Sequence, residues 1–474
     1  MKSILKISTL SLVLILGSCD DILDIDPQQS IDSDQALTTP EGIKANLADI
    51  YSSFKNVLLY GRDFVATSEA LADNAYVIDR AGGRYVQQAA NAPTANMGNW
   101  ATAYATINEI NLMLEALPKV EGATPTFKDE TEGQIRGLRA LLYFDLMRVY
   151  AYEPNMAPAG LDKGGVPLAL TGVLTPGQIE LLPRATSAEV YAQIYSDLTI
   201  AIEKAPAQAA GVKYYINKTF ALAFFAKVAL YNQDYVMAEQ LATDAITAGA
   251  GVPATAANIV AAWRLNNHPE SLFEIGFTTA AETIGVNESI ASAFASRATL
   301  TATTPATGNG AVVPTAAFIA LHGTNDVRRQ LYQNGLRSPI AMECTKFLHK
   351  TGTTYMDNIP VMRVSELYLI RAEARAKKAS PDEPGAISDL NLIAARVPIV
   401  YTGATTGAAL VDAIIEQRRF ELAFEGDRWF DLKRRGASVI KSTGNLLFDD
   451  YRRLAAIPVR EIQINPNLVQ NSGY

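Results

Sequence analysis

The side chains that could move protons, hold metals or attack carbonyls are 49 Asp and Glu, three His and two Cys. Glu421, Glu425, Arg428 and Asp431 fall three or four apart in a run of helix formers, which is the spacing of ion pairs on one helix face. That spacing predicts a partly buried network on a single helix, tethering its neighbours. Acid–base work is the weaker reading, because so many carboxylates leave some pair at glycosidase separation in any fold. His268, His322 and His349 are scattered, and none stands in the HExxH spacing that sets two imidazoles on one helical face. No GxSxG, P-loop or GxGxxG occurs between a strand and a helix, and no nucleophile has a partner nearby in sequence. These residues predict a protein that is not an enzyme, with no catalytic residues, no metal and no cofactor.

Cys19 is a different case. Lys2 and Lys6 precede an almost wholly apolar run, Ile7 to Leu16, of the length of a signal h-region and too short to span a bilayer. The run ends in Leu16-Gly17-Ser18-Cys19, which resembles the lipobox of bacterial lipoproteins. Residues 1–18 would then be removed as a signal peptide, and the Cys19 thiol would carry the acyl chains, palmitate among them. An ordinary secretory signal with an incidental cysteine is the plainer alternative. Asp20, Asp21, Asp24 and Asp26 follow, yet no glycine turn or distant bidentate Glu completes a calcium loop. Residues 19–40 therefore read as an acidic, solvated tether. Cys344 is left as a lone thiol, expected to be a buried small apolar side chain.

The elements that must position any site are helices. The 474 residues are 49% hydrophobic and 19% charged, enough apolar material for a large core and too much for a disordered chain. A formal charge of −8 without a Lys/Arg-rich run argues against a nucleic-acid partner. Ile43, Leu47, Ile50, Tyr51 and Phe54 recur at helical spacing, as do Ile135, Leu138, Leu142 and Val149. Thr186 to Glu189 has the form of a capping box. Patterns over 217–231 and 235–248, and again over 363–378 and 385–396, are joined by connections so short that each makes an antiparallel pair. Repeated pairs predict a tetratricopeptide-like, predominantly α-helical fold with a loop-rich irregular insert, although no clean 34-residue period emerges. The expected layout is one domain over 41–474, with helical repeats at about 41–60, 101–248 and 361–436. Segments of about 60–100 and 249–360, richer in Gly, Thr, Asn and Pro, read as loops with short strands that carry the ligand site.

Several blocks in order resemble one family. Leu23-Asp24-Ile25-Asp26-Pro27, Gln134 to Leu146, Leu182-Pro183-Arg184-Ala185-Thr186, Arg363 to Leu369, and Gln417 to Leu432 are similar to conserved-type blocks of the SusD/RagB proteins. The ending from Asn465 to Tyr474 is similar too. Departures are mild: Gln417 stands where Glu is usual, Ser472 where Pro is common, and the stretch Asn391 to Pro398 lacks the usual first Arg. The resemblance implies a lipid-anchored protein on the outer face of the outer membrane. Such a protein binds oligosaccharide, or in some branches peptide, and delivers it to a SusC-like TonB-dependent transporter. The acidic residues after Cys19 also look like the surface-export signal of such lipoproteins. Two other classes stay open: a surface glycoside hydrolase, which the missing catalytic block disfavours, and a repeat scaffold binding only protein.

The resemblance carries over the position of the ligand site and not its residues. In the first loop, Asp73 falls where the family often keeps a hydrogen-bonding acid, with Asn74 beside it. Arg84 and Tyr85 follow two glycines that would let the backbone expose them. Trp263, in the insert, is the other rigid stacking candidate. Trp100 precedes Tyr104 and Ile107 at helical spacing and is expected to pack a helix start, and Trp429 is expected in the core.

Overall fold

The computed structural model describes residues 37–474, apart from 210, 307, 349–352 and 354. Residues 1–18, expected to be a signal peptide, Cys19, the acidic stretch after it and His349 lie outside the described residues. The chain is predominantly helical.

Helix α1 (Pro40–Ser53) starts on Thr39, whose side chain accepts the Gly42 N–H, and carries Pro40 in its first turn. Helices α2 (Asp63–Leu71) and α3 (Val86–Ala89) follow, then α4 (Trp100–Ala116) and the long α5 (Pro125–Tyr150). Next come α6 (Ser187–Lys204), α7 (Lys218–Tyr231) and α8 (Tyr235–Ala245). Thr124, Thr186, Asn217 and Asp234 each accept a backbone N–H at the start of α5, α6, α7 and α8, so polar residues mark the starts of these four helices. The capping box at Thr186–Glu189 is formed.

These helices pack in chain order: α5 on α6, α6 on α7, α7 on α8. The stack continues into α12 (Val364–Lys377), which lies against α8, and into α13 (Glu383–Ala394) and α14 (Gly407–Glu421). Small side chains permit the close approach. Ala226, Ala229, Ala238 and Ala242 are buried, and a Cβ on Gly133 would fall 2.2 Å from the Ala205 nitrogen. Helix α7 is buried all round, which explains its lack of an amphipathic pattern.

The first loop and the insert supply the strands, all in two-stranded antiparallel pairs among the described residues. In chain order, β1 (Ala75–Val77) of the first loop pairs with β3 (Val312–Pro314) of the insert. β2 (Ser271–Ile275) pairs with β6 (Ile359–Arg363), while β4 (Tyr332–Asn334) pairs with β5 (Met342–Cys344). Short helices α9 (Ile259–Ala262), α10 (Ile290–Phe294) and α11 (Ala316–Leu321) lie between them, and α15 (Arg428–Arg434) and α16 (Val459–Ile464) close the chain.

Two local expectations are corrected. The first loop contains α2, whose residues Phe64 to Leu71 are all buried. No side-chain cap precedes α2, and Phe64 stacks on Phe430 at 5.5 Å, so tertiary packing sustains it. The charged run from Glu421 to Asp431 is not one helix: α14 ends at Glu421 and α15 begins at Arg428. Phe424 and Gly426 between them have φ of 63° and 81°, and a Cβ on Gly426 would come within 3.2 Å of Val65 and Ser68. Lys346, buried, donates to the Glu421 and Ala423 carbonyls at 3.0 and 2.9 Å, satisfying the groups this break releases.

Candidate functional site

The first loop and the insert meet through backbone. Tyr76 of β1 stands opposite Val313 of β3, and Thr315 N–H donates to the Asn74 carbonyl at 2.9 Å. Alternation along β1 buries Ala75 and turns Tyr76 outward, 42% exposed. Beside this pair opens a groove of about 600 Å³. Val77, Val86, Ala89, Ala316 and the exposed Ile440 give it aliphatic walls, and Tyr76, Thr315, Ser442 and Thr443 supply hydroxyls.

The two charged side chains of its lining are held within the protein. Asp73 accepts from Arg428 Nε and Nη2 at 2.7 and 2.8 Å, a bidentate pair, with Arg419 at 3.6 Å. Burial opposes ionisation of Asp73, but the Arg428 hydrogen bonds and charge, with Arg419 behind them, outweigh it and hold its pKa below the ordinary value. Lys441 Nζ donates to the Ala70 and Ala89 carbonyls at 2.8 and 3.0 Å, in the last turns of α2 and α3. Burial lowers its pKa to about 7. The groove therefore has fixed walls and no free charge in its lining.

The expected site residues divide. Asp73 lines the groove. Asn74 is buried just behind it, with its side-chain amide oxygen Oδ1 accepting from Arg419 Nε at 2.7 Å. Arg84 reaches into the insert instead, donating to the Asn287 carbonyl at 2.6 Å and to Glu288 at 3.0 Å. Tyr85 is turned inward, contrary to the exposure expected of it: its hydroxyl donates to Asp63 at 2.8 Å, and the ring is buried. Gly82 and Gly83 do take positive φ, but Tyr85 follows them at φ 65° and folds back under α2. Trp263 is buried too, edge-on to His268 at 4.6 Å and Phe347 at 5.6 Å, with Lys346 and Arg363 over its ring at 4.9 and 5.2 Å. As placed, neither ring offers a face to a ligand. The structure thus brings Asp73 and Asn74 together at the groove and uses Arg84 and Tyr85 to fasten the loop.

Sequence reasoning did not single out Tyr76, Thr315 or the segment 440–443. Tyr76 had a faint signal, an aromatic inside the loop already marked. Thr315 and Ile440 had none, since only the β1–β3 pairing and the fold of the chain end bring them there.

The charged run is a buried network. Glu421 meets Arg328, Arg363 and Arg396, Glu425 meets Lys346 and Arg363, and Arg418 meets Glu366 and Asp427. Its carboxylates are spent on cations. His322 is buried, which lowers its pKa to about 4. Among the described residues no three His, Cys, Asp or Glu converge as metal ligands, and no helix is long and apolar enough to cross a membrane. Cys344 is buried, and burial pushes its thiol up to about 12.

Comparison with known proteins gives a consistent picture. Residues 332–474 match the SusD family, and residues 21–230 match a family described as starch-binding associating with outer membrane. The chain is 26% identical to SusD-like protein P38 of Formosa agariphila, with both chains covered in full. It is 24% identical to SusD-like protein P2 of the same organism, over 99% of each. A crystal structure of a putative sugar binding protein from Bacteroides vulgatus superposes with a TM-score of 0.78 at 25% identity, covering 92% of this chain and 99% of that one. A laminarin binding SusD-like protein superposes at 0.74 with 21% identity, covering 92% and 100%. Two family matches, at either end of a fold shared along nearly its whole length, make this chain similar to the SusD/RagB proteins throughout.

Proposed function

We propose that this protein is a non-catalytic, cell-surface lipoprotein that captures an oligosaccharide in the Asp73–Tyr76 groove. It would deliver the glycan to a SusC-like TonB-dependent transporter of the outer membrane. The groove itself carries the reading. It is preformed, because β1–β3 pairing fixes one side and Lys441 staples the ends of α2 and α3 on the other. Its chemistry is that of a sugar: C–H faces lie on Tyr76 and the aliphatic walls, and ring hydroxyls meet Thr315, Ser442 and Thr443. A peptide is the weaker ligand, since Asp73 is paired with Arg428 and Lys441 is bound to two backbone carbonyls, so neither is free to take a terminus. Relatives named as sugar-binding and laminarin-binding support a glycan ligand.

The same residues support binding over turnover. Among the described residues Asp73 is the one carboxylate lining the groove, and two arginines hold it ionised, so it cannot serve as a general acid near neutral pH. Asn74, Arg84 and Tyr85 act behind the surface, as the supports that keep the loop in place.

The test is affinity electrophoresis in gels cast with soluble polysaccharides, starch and laminarin among them, using wild type and Tyr76→Ala. Tyr76 is chosen over Asp73 because removing Asp73 would strip buried Arg428 of its bidentate partner and leave it only Asp431 at 3.8 Å, a change that acts on the fold itself. The wild type is expected to be retarded by at least one polysaccharide. Tyr76→Ala should bind it about tenfold more weakly with an unchanged melting temperature. Retardation by none of them, or equal retardation of the variant, would overturn the assignment.

A further inference from the structure

A second cleft lies away from the groove and shares no residue with it. It is bounded by α1, the segment 213–216, β2 and the turn 276–282. The Glu274 N–H donates to the Lys213 carbonyl at 2.7 Å, so the segment leading to Tyr214 and Tyr215 runs along the edge of β2. Tyr51 forms the floor with Phe273, their rings 6.2 Å apart. The Tyr51 hydroxyl donates to Gln134 at 2.9 Å and accepts the Ile216 N–H at 2.8 Å, so the ring is fixed from both sides. Tyr214 is held by Asn267 and by Asn358, which donates to its hydroxyl at 3.2 Å. Gly276 makes room for that ring, because a Cβ there would fall 2.2 Å from it.

Tyr215 is the exception to this burial. Its ring stands edge-on to Tyr51 at 5.1 Å and 84°, and is 51% exposed. Facing it is a polar rim. Lys55 pairs with Glu282 at 2.5 Å, and the other Glu282 oxygen accepts the Thr278 and Thr279 N–H groups at 2.5 and 3.1 Å. The cleft thus sets rigid aromatic walls against an ammonium and a carboxylate whose positions are already determined. A free volume of about 140 Å³ is under half of what a drug-sized ligand needs, roughly 300 Å³, and suits a single ring.

We propose that this cleft is a second saccharide site, taking one pyranose unit. The ring's C–H face lies on Tyr215, and its hydroxyls accept from Lys55 and donate to Glu282. An apolar ring would strand the ion pair away from water, an anion would meet the negative faces of the aromatic walls, and a free cation would have to displace Lys55 from Glu282. The inference rests on glycan binding by this chain but not on the groove. Two sites on one chain raise the avidity for a long polysaccharide that spans them, while each alone stays weak enough to release.

The test labels the protein with 3-fluorotyrosine and assigns the Tyr215 fluorine signal by its absence in Tyr215→Phe. Methyl glucosides, galactosides and mannosides are then titrated at millimolar concentration. At least one is expected to shift the Tyr215 signal saturably. In unlabelled protein, Tyr215→Ala should weaken binding of that glycoside about tenfold, and Tyr215→Phe should retain it. An unshifted Tyr215 signal with all of them, or equal binding by Tyr215→Ala, overturns the cleft site whatever the groove does. A shift at Tyr215 in a protein that fails the Tyr76 test keeps the cleft and removes the groove.

Discussion

Glu69 shows what position does to a single side chain. It sits on α2 fully buried, accepting the Gly426 N–H at 2.9 Å, and burial raises its pKa to about 8 against hydrogen bonds from Gly426 and Phe424 that lower it. Between its ordinary 4.5 and about 8, the native state keeps a proton that the unfolded chain releases. Its contribution is therefore fully present below the lower value and is lost as pH rises through the upper one. Glu69→Gln keeps the shape and the acceptor oxygen but does not titrate. The variant should gain stability relative to wild type as pH rises across that window, read by urea denaturation at its two ends. Parallel changes in the two proteins would show that the carboxyl group is ionised throughout. Glu69 stood in the sequence as an ordinary helical glutamate; only the packing of α2 under the α14–α15 break gives it this behaviour.

At the scale of the element, that break decides how the charged run works. A continuous helix from Glu416 to Arg435 would have spread Glu421, Glu425, Arg428 and Asp431 along one face. The turn at 422–427 instead sends Glu421 toward Arg328, Arg363 and Arg396 and directs Arg428 to Asp73 beneath the groove. Trp429, at the start of α15, is buried with the Arg453 guanidinium 4.4 Å above its ring. Trp429→Ala should therefore cost about 3–5 kcal/mol, as large aromatic truncations in cores do. Chemical denaturation measures the loss, and glycan retardation at a temperature where the variant is folded should stay within about twofold of wild type. A variant that lost retardation but kept its melting temperature would place Trp429 in the ligand site.

The whole molecule joins a helical stack to an irregular cap. Arg80 illustrates the join: from the first loop it donates to Glu343 at 2.9 Å and to the Gly310 carbonyl at 3.0 Å, both in the insert. On the proposed function, acyl chains on Cys19 hold this body to the membrane. A single acyl chain holds a protein only marginally, whereas several hold it firmly. Cys19→Ser should therefore move the protein from the membrane fraction to the soluble one, while the melting temperature of the folded body is unchanged. Equal partitioning of variant and wild type into detergent would refute lipidation at this residue.

The sequence by itself determined most of the helical stack and the resemblance to one family. Helix periodicity and N-caps are local properties, written within four residues of where they act, so Thr186 and the pairs at 217–248 and 363–396 were legible before any fold was known. The order of family blocks was equally legible, because it is a one-dimensional pattern. The ligand groove was legible only as a region. Asp73 could be marked, but whether Tyr85 or Tyr76 faces out depends on a left-handed backbone at one and on strand alternation at the other. Trp263 could not be told from a stacking platform, since the cations that cover it come from Lys346 and Arg363, far along the chain. What only the tertiary structure decided is which side chains are left uncovered, because exposure is set by residues that pack from the other end of the sequence.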